Sequence, residues 1–233
     1  MFTIRIAGMN ICINNKYEYI KNMCSDYIVK DREDFILEAS EEEIKIEKLS
    51  EHTDSGYAES LAIYRKIAEK IILKNGFLLH GVVAEYKDTG IAFLALSGTG
   101  KSTHAALWKE LFGEDFIYVN GDKPLITLAG EKIYAHGTPW AGKENLQTNK
   151  HTELKKVCFI FRSKTNECKK LKKEEVLELL MKQIYVPQDA NNFLLLLSHI
   201  TKFINGADFY KISCNISKDA ARKAHEVIFG ECC

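Results

Sequence analysis

The chain has 233 residues, 46% of them hydrophobic, which is enough to bury a substantial core in one or two domains. Its 32 basic and 32 acidic residues cancel, which argues against nucleic acid or an anionic membrane surface as a partner. The first twenty residues lack the basic start and continuous apolar run of a signal peptide, and no stretch approaches the roughly 18 apolar residues of a membrane span. We therefore expect a cytoplasmic protein that binds neither nucleic acid nor membrane.

The cysteines predict no metal cluster, because they form no C-x-x-C pair and have no histidine at zinc-like spacing. An odd number of scattered cysteines in a cytoplasmic protein favours reduced thiols. Cys158, inside the apolar run "VCFIF", is interpreted as a small core residue. The seven cysteines are Cys12, Cys24, Cys158, Cys168, Cys214, Cys232 and Cys233.

Residues 1–75 are predicted to form an N-terminal α/β segment. Short apolar runs at "FTIRIA", "ICIN" and "FILEA" predict strands, and the acidic run "EASEEEIKIE" predicts a solvated edge. A helix follows, with apolar residues at helical spacing and Gly76 in the place of a C-terminal cap. Because no Pro-rich or Gly/Ser-rich linker comes next, we expect this segment to pack on a second unit, residues 76–233.

Two apolar, β-rich runs at residues 77–86 and 91–96 are separated by the turn-like "KDTG" and predict a hairpin. The second run leads into "LSGTGKST", which nearly matches the Walker A pattern G-x-x-x-x-G-K-[ST], with Ala95 in place of the first glycine. The strand before this loop is then antiparallel to its predecessor, unlike the parallel setting of most Walker A loops. We expect a phosphate-binding loop in an atypical sheet, in which Ala95 is compatible with binding if Gly98 and Gly100 make the turn.

The loop has the parts that a nucleoside triphosphate requires. Its glycines allow successive amide N–H groups to converge on phosphate oxygens in front of a helix. Lys101 would reach the β- and γ-phosphates, and Ser102, with Thr103 as a further candidate, offers a hydroxyl to Mg²⁺. The predicted nucleotide-binding residues are Ser97, Gly98, Thr99, Gly100, Lys101, Ser102 and Thr103. The helix after them, "STHAALWKELFG", is predicted to bury Ala106, Leu107, Trp108 and Leu111.

Asp122 follows the next apolar run, in "FIYVNGDKPLITL". A carboxylate at a strand end beside a phosphate loop can hold Mg²⁺ or accept the proton of an attacking hydroxyl, whereas "NGD" by itself is also a common turn sequence. With the Walker-like loop upstream, the functional interpretation is favoured. Whether Asp122 is base or metal ligand stays open.

These segments together resemble the phosphoenolpyruvate carboxykinase-like group, which includes the carboxykinases and the HPr kinase/phosphorylases. "LSGTGKST" looks like the carboxykinase phosphate loop, and "HGVVAEYKDTGIAFLALSGTGKS" looks like the HPr kinase order of His-Gly strand, turn, strand and loop. Residues 77–142, including "YAHGTPWAG", more closely resemble an uncharacterised bacterial subgroup labelled HPr kinase-like or serine kinase-like, and so do "YAESLAIYRKIAEK" and the tail to about residue 229.

The resemblance implies an α/β, carboxykinase-like P-loop fold like the HPr kinase C-terminal domain, with a mixed, largely antiparallel sheet. It also implies ATP and Mg²⁺ as cofactors. His80, in the His-Gly strand, is expected to border the active site and to orient the acceptor or the transferred phosphate. "VNGDKPLI" takes the place of a paired-aspartate segment, with Gly121 where the first aspartate would stand.

Four other residues are weaker candidates. Trp140 either closes over a ligand or fills the core, and Lys143 either neutralises phosphate charge or is an ordinary surface lysine. Arg65 and Glu59 lie on the helix before the core and are interpreted as solvated helix-surface charges.

The C-terminal part is predicted to complete the fold. It has strands at "VCFIF" and "FYKISC", helices near 173–184 and 191–204, and a last helix from near Ser217.

The leading hypothesis is a kinase, dependent on ATP and Mg²⁺, that transfers the γ-phosphoryl group to a hydroxyl of a protein, a peptide or a small metabolite. Lys101, His80 and Asp122 are its catalytic candidates, and Ser102 and Asp122 its metal ligands. The alternative is a non-catalytic nucleotide sensor or partner-binding module, and a homo-oligomer is left open. A carboxykinase is disfavoured because such enzymes are about twice this length.

Overall fold

A computed structural model describes residues 1–48 and 50–230, so the predictions for Cys232 and Cys233 lie outside the described residues. The chain is a mixed α/β protein with two mixed sheets. In chain order the strands are β1 Phe2–Ile6, β2 Met9–Ile13, β3 Ile28–Val29, β4 Phe35–Leu37, β5 Gly76–Leu78, β6 Val82–Tyr86, β7 Thr89–Leu94, β8 Phe116–Asn120, β9 Leu125–Ala129, β10 Lys132–His136, β11 His151–Arg162, β12 Glu167–Lys170 and β13 Asp208–Cys214. The helices are α1 Glu18–Met23, α2 Glu41–Glu47, α3 Ser55–Ile72, α4 Lys101–Phe112, α5 Val176–Met181, α6 Ala190–Gly206 and α7 Lys218–Phe229.

The larger sheet has the order β5-β9-β10-β11-β7-β6-β8, and β13 and β12 extend it from β11. The long strand β11 pairs with β10 at residues 151–153 and runs parallel to both β7 and β13 further along. The other pairings of this sheet are antiparallel within the described residues. Three neighbouring parallel strands, β7, β11 and β13, therefore end at the same edge of the sheet.

The predicted hairpin before the phosphate loop is confirmed as β6 and β7. Lys87 and Asp88 form its turn with φ of 44° and 60°, the left-handed geometry that two-residue hairpins favour. The run 77–86 is not one strand, however. It divides into β5 and β6 because the chain leaves the sheet between them, where His80 N donates to Gln183 O at 2.7 Å.

Helices cover both faces of the larger sheet. On one face, α5 and α6 contribute Leu180 and Phe203 to a core with Phe159. On the other face, α4 and α7 contribute Trp108 and Ala221 to a second core. The sheet is thus buried from both sides, which holds its strand ends in fixed positions.

The smaller sheet, of order β3-β1-β2-β4, shares its core with α3. This core continues into the following unit, because it also contains Leu78, Leu125 and Trp140. The N-terminal segment therefore packs directly against the part of the chain that carries the phosphate-like loop. A division into two units at residue 75 stays a prediction.

Several local predictions are wrong. The acidic run is not an edge but the helix α2, which begins with a capping box: Ser40 Oγ accepts from Glu43 N at 3.2 Å, and Glu43 Oε2 accepts from Ser40 N at 2.8 Å. Gly76 is not the cap of α3. Asn75 takes the left-handed φ of 56°, and Gly76 starts β5 where a Cβ would lie 2.3 Å from Ile126 O.

Two helices also differ from prediction. The buried face of α4 consists of Lys101, His104, Ala105 and Trp108, whereas Ala106 is exposed. The helix predicted at 173–184 is shorter, because the 3-10 turn Lys173–Glu175 precedes α5. Within the described residues, none of the helices is long and apolar enough to cross a membrane.

Candidate functional site

The loop that resembles a phosphate-binding Walker A loop, residues 95–100, joins the end of β7 to the start of α4 and is called the phosphate-like loop. Gly98 and Gly100 have φ of 74° and 120°, and a Cβ at either would meet nothing within 4 Å. The left-handed backbone, rather than crowding, is therefore what requires glycine at both positions. Thr99 N donates to Leu96 O at 3.1 Å and closes the turn.

Helix α4 begins without a side-chain cap. Its N-cap residue is Gly100, which has no side chain to accept a hydrogen bond from the first N–H groups of the helix. By contrast, Asp54 caps α3 by accepting from Tyr57 N, and Asp189 caps α6 by accepting from Asn192 N. The first amide groups of α4 are thus open to an anion at the positive end of the helix dipole.

Ala95 is accommodated at the strand end without strain. It is buried in the core between the sheet and α4, and it is not among the residues with positive φ. Its carbonyl oxygen accepts a hydrogen bond from Lys101 Nζ at 3.1 Å. The missing first glycine of the Walker pattern is therefore compatible with the loop, since this position needs a small side chain but no special backbone angle.

Lys101, His80 and Asp122 meet at the loop. Lys101 Nζ lies 3.3 Å from His80 Nε2. His80 Nε2 also lies 3.2 Å from Asp122 Oδ1. A protonated Nε2 donates to Asp122, whereas an unprotonated Nε2 accepts from Lys101. Both contacts involve the one nitrogen Nε2, so the imidazole lies between the loop lysine and the carboxylate.

A turn presents the carboxylate of Asp122. Asn120 Oδ1 accepts from the backbone N–H of Asp122 at 2.9 Å and of Lys123 at 2.7 Å, an Asx turn at the end of β8. "NGD" is therefore both a turn and the support of a side chain that faces the loop. Burial alone would raise the pKa of Asp122, but the hydrogen bond from His80 and the charge of Lys123, 3.3 Å away, hold it below its ordinary value.

Burial also changes Lys101. It lowers the pKa of this amine, and the nearby charge of Asp122 opposes that effect only in part. The ammonium group has left bulk water and has the Ala95 carbonyl and His80 as its polar neighbours. A phosphate group arriving at the loop would supply the charge partner that the buried ammonium needs.

Gly121 has no room for a side chain. A Cβ there would lie 2.8 Å from Ala141 O and 3.2 Å from Leu146 O. The position at which the resemblance placed a first aspartate is therefore closed by the backbone of the loop after β10. Asp122 is the carboxylate of this turn.

These groups line one open cleft with a volume of about 1190 Å³. Most of the predicted residues lie on it: His80, Ser97, Gly98, Gly100, Lys101, Ser102, Thr103 and Asp122, together with Trp140 and Lys143. Thr99 does not line this cleft and faces a second cavity instead. The opposite wall comes from the N-terminal segment and consists of Tyr19, Asn22, Met23, Ser25, Asp26, Tyr57 and Leu61.

The N-terminal wall is tied to the loop after β10. Tyr27 Oη donates to Gln147 Oε1 and to Thr148 O, the latter at 3.3 Å. Asn149 Nδ2 donates to Asp26 O at 2.7 Å. Sequence reasoning did not find this wall, because no local pattern shows that α1 folds over the phosphate-like loop.

The weaker candidates lie in different surroundings. Trp140 fills the core: it stacks on Tyr64 with ring centroids 4.0 Å apart, and its indole N–H donates to Ser60 O at 3.1 Å. Lys143 is exposed at the cleft. Arg65 pairs with Glu47 away from the cleft.

The interpretation of Glu59 as a solvated surface charge is wrong. Its side chain is fully buried and accepts from the backbone N–H groups of Lys16 at 2.6 Å and Tyr17 at 3.1 Å. It therefore fixes the start of the N-terminal wall from α3.

The residues fit a nucleotide-borne Mg²⁺ better than a metal held by protein alone. Among the described residues, no group of three or more His, Cys, Asp or Glu side chains is arranged to hold a metal ion. Ser102 and Asp122 nevertheless line the same cleft, and the lowered pKa of Asp122 keeps its carboxylate ionised. A hydroxyl and a carboxylate are the two protein ligands that such an ion commonly takes beside phosphate oxygens.

Comparisons with known proteins add little. No protein-family model matches the chain, and no curated protein matches it. Among solved structures, the chain is similar to the Hpr(Ser) kinase/phosphatase from Coxiella burnetii, with 11% sequence identity and a TM-score of 0.31. The match covers 54% of this chain and 95% of that chain. A TM-score of this size is too low to support an argument about function.

Proposed function

We propose that the protein is a kinase that uses ATP and Mg²⁺ to phosphorylate a hydroxyl group, on a P-loop fold of the carboxykinase-like type. The observation that carries the proposal is the contact of Lys101 and Asp122 with one imidazole, His80, at the uncapped start of α4. Phosphoryl transfer is mostly positioning and charge neutralisation, and this cluster offers an anion site, a cation and a carboxylate.

The loop amides and Lys101 hold the phosphates. Lys101 exchanges the Ala95 carbonyl for a phosphate oxygen, which relieves the cost of its burial. Ser102 and Asp122 are the residues that would hold Mg²⁺. When bound, the ion neutralises negative charge on the phosphate oxygens.

The acceptor hydroxyl is placed in the part of the cleft between the loop and the N-terminal wall. The cleft, at about 1190 Å³, exceeds the usual range of about 300 to 1,000 Å³ for a small-molecule site, so it has room for an acceptor beside a nucleotide. A protein, a peptide and a small metabolite all remain acceptors that this wall admits.

Asp122 accepts the proton of the acceptor hydroxyl. His80 Nε2–H donates to Asp122 Oδ1 at 3.2 Å and orients the carboxylate toward that hydroxyl. In a loose transition state the proton leaves late, so a carboxylate with a lowered pKa is adequate.

A nucleotide sensor without turnover is the second candidate. The closure of Gly121 favours it, because a second carboxylate cannot be accommodated there and Asp122 alone has to serve both the metal and the hydroxyl. The two candidates differ in one result: a sensor binds ATP but transfers no phosphate.

The test is incubation of the purified protein with γ-labelled ATP, Mg²⁺ and cell extract. A kinase labels an acceptor, and Asp122→Asn abolishes labelling while ATP still raises the melting temperature. Asp115→Asn, an exposed aspartate after α4, is the matched control and should label as the wild type does. ATP binding without label in any fraction would favour the sensor, and label that survives Asp122→Asn would refute the assigned role.

A further inference from the structure

Two tyrosine side chains lie on the N-terminal wall of the larger cleft, across from the phosphate-like loop. Tyr19 comes from α1 and Tyr57 from α3, and their rings meet edge to face with centroids 6.1 Å apart. They are 42% and 38% exposed, so much of this aromatic surface faces water in the cleft. Neither ring takes part in the phosphate binding or the proton transfer proposed above.

Close packing of α1 on α3 holds the aromatic surface in place. A Cβ at Gly56 would lie 2.5 Å from the Cβ of Tyr19, so glycine at this position is what lets α1 approach α3 so closely. The start of α1 is also held from α3, because the buried Glu59 accepts from the backbone N–H of Tyr17 at 3.1 Å. The aromatic surface is therefore formed before any ligand arrives, which reduces the ordering that binding requires.

The rest of the N-terminal wall is apolar or uncharged, with one exception. Met23 and Leu61 line it, and both also pack on the core of the N-terminal segment. Asn22 and Ser25 are polar but uncharged. Asp26 carries the one charge among the described residues of this wall, and that charge is negative.

The positive charges of the cleft belong to other segments. Lys101 starts α4, Lys123 follows the turn after β8, and Lys143 lies in the loop after β10. In the proposed reaction the nucleotide phosphates are the anions that such groups neutralise. A further anionic group, on the acceptor, would approach the carboxylate of Asp26 without a cation among the described residues of the N-terminal wall to offset the repulsion.

From this distribution we infer that the N-terminal wall selects an acceptor with an uncharged aromatic or apolar group beside its hydroxyl. Tyr19 and Tyr57 determine this specificity, because the group packs on their rings while the hydroxyl meets Asp122. Acceptors with a phosphate or carboxylate group in that place are disfavoured. The inference rests on the proposed function, since it takes the hydroxyl to react at the phosphate-like loop. A peptide with a serine beside an aromatic residue and a small aromatic alcohol share this chemistry.

The experiment is titration of the protein, followed by NMR, in the presence of Mg²⁺ and a non-hydrolysable ATP analogue. The probes are N-acetyl-seryl-phenylalaninamide, its glutamate counterpart N-acetyl-seryl-glutamic acid amide, and phenethyl alcohol. The wild type should bind the phenylalanine probe, and the glutamate probe about tenfold more weakly. Tyr19→Ser and Tyr57→Ser should each weaken binding of the phenylalanine probe about threefold to tenfold, and phenylalanine at either position should restore it.

Tyr17→Ser is the matched control, because Tyr17 is also 38% exposed but does not line the cleft, and it should leave the affinity for the phenylalanine probe unchanged. If phenethyl alcohol responds to the two cleft substitutions as the dipeptide does, the ring and hydroxyl suffice and a small alcohol is favoured. If the dipeptide alone responds, a peptide is favoured. Both results support the inference.

The inference is overturned if the wild type binds the glutamate probe as tightly as the phenylalanine probe or binds neither. It is also overturned if both cleft variants bind the phenylalanine probe as the wild type does, or if Tyr17→Ser weakens binding equally. Failure of the proposed function looks different: the phenylalanine probe binds and depends on both tyrosines, but ATP does not bind the wild type or no label from γ-labelled ATP reaches any acceptor.

Discussion

His104, on the helix behind the phosphate-like loop, should make the free energy of unfolding fall at acidic pH. It lies on α4, 2% exposed, and Trp108 Nε1 donates to its Nε2 at 3.1 Å. Because an indole N–H can only donate, Nε2 accepts and the ring proton is on Nδ1, which lies 3.8 Å from Cys214 Sγ. Protonation of Nε2 would break the bond to Trp108 and leave a charge in the core.

The magnitude follows from the pKa. Burial lowers the pKa of His104 from 6.5 to about 4. Between these values the unfolded chain binds a proton that the native protein does not, so the free energy of unfolding falls as the pH falls through this window. At pH 4 the loss amounts to about 3 kcal/mol, and at pH 7 it is absent.

The assay is urea unfolding of the wild type and His104→Gln at intervals from pH 7 to pH 4. Glutamine can still accept from Trp108 but does not titrate, so the difference in free energy of unfolding between the two proteins should shift by about 3 kcal/mol in favour of the variant as the pH falls. Burial also lowers the pKa of His136 to about 4. Because His136 titrates in both proteins, its contribution cancels in the difference between their free energies of unfolding. A difference that stays constant over this range would show that burial does not lower the pKa of His104.

Three further outcomes are expected. Burial lowers the pKa of Lys101, so the affinity for ATP measured by calorimetry should already fall as the pH rises at values below 10.5, the ordinary pKa of lysine. The affinity of Lys101→Arg should not change over the same pH range, because arginine stays charged, and equal pH profiles for the two proteins would contradict this. Gly121→Ala places a Cβ 2.8 Å from Ala141 O, so it should lower the free energy of unfolding by about 1 to 3 kcal/mol in urea melts and slow phosphate transfer by displacing Asp122. A variant with the stability and the transfer rate of the wild type would show that position 121 has room for a methyl group. Trp140→Ala removes a buried indole stacked on Tyr64 and should cost about 3 to 5 kcal/mol in the same melts, and a loss below 1 kcal/mol would show that the ring is not part of the core.

The part of the site that sequence predicts best is the loop itself. Gly98, Gly100 and Lys101 are contiguous, and their spacing encodes the backbone angles and the helix start directly. The hairpin before the loop is also local, since its two turn residues take left-handed angles. Short-range patterns of this kind are readable because their causes lie within a few residues.

Other parts depend on long-range packing. The approach of His80 to Asp122 requires the chain to leave the sheet between β5 and β6, held there by Gln183 O. Glu59 looked like a surface charge because helical spacing does not show that the backbone of Lys16 and Tyr17 folds over it. The N-terminal wall and the second cavity arise in the same way, from contacts between segments far apart in sequence.

Calorimetric titration of ATP with Mg²⁺ into the wild type and Lys101→Met tests directly whether the phosphate-like loop binds the nucleotide. Lys74→Met, at an exposed lysine beyond α3, is the matched control for loss of one positive charge. We expect one ATP per chain for the wild type and the control, and no measurable binding for Lys101→Met. Equal affinity of all three proteins for ATP would contradict the assignment of this loop as the nucleotide site.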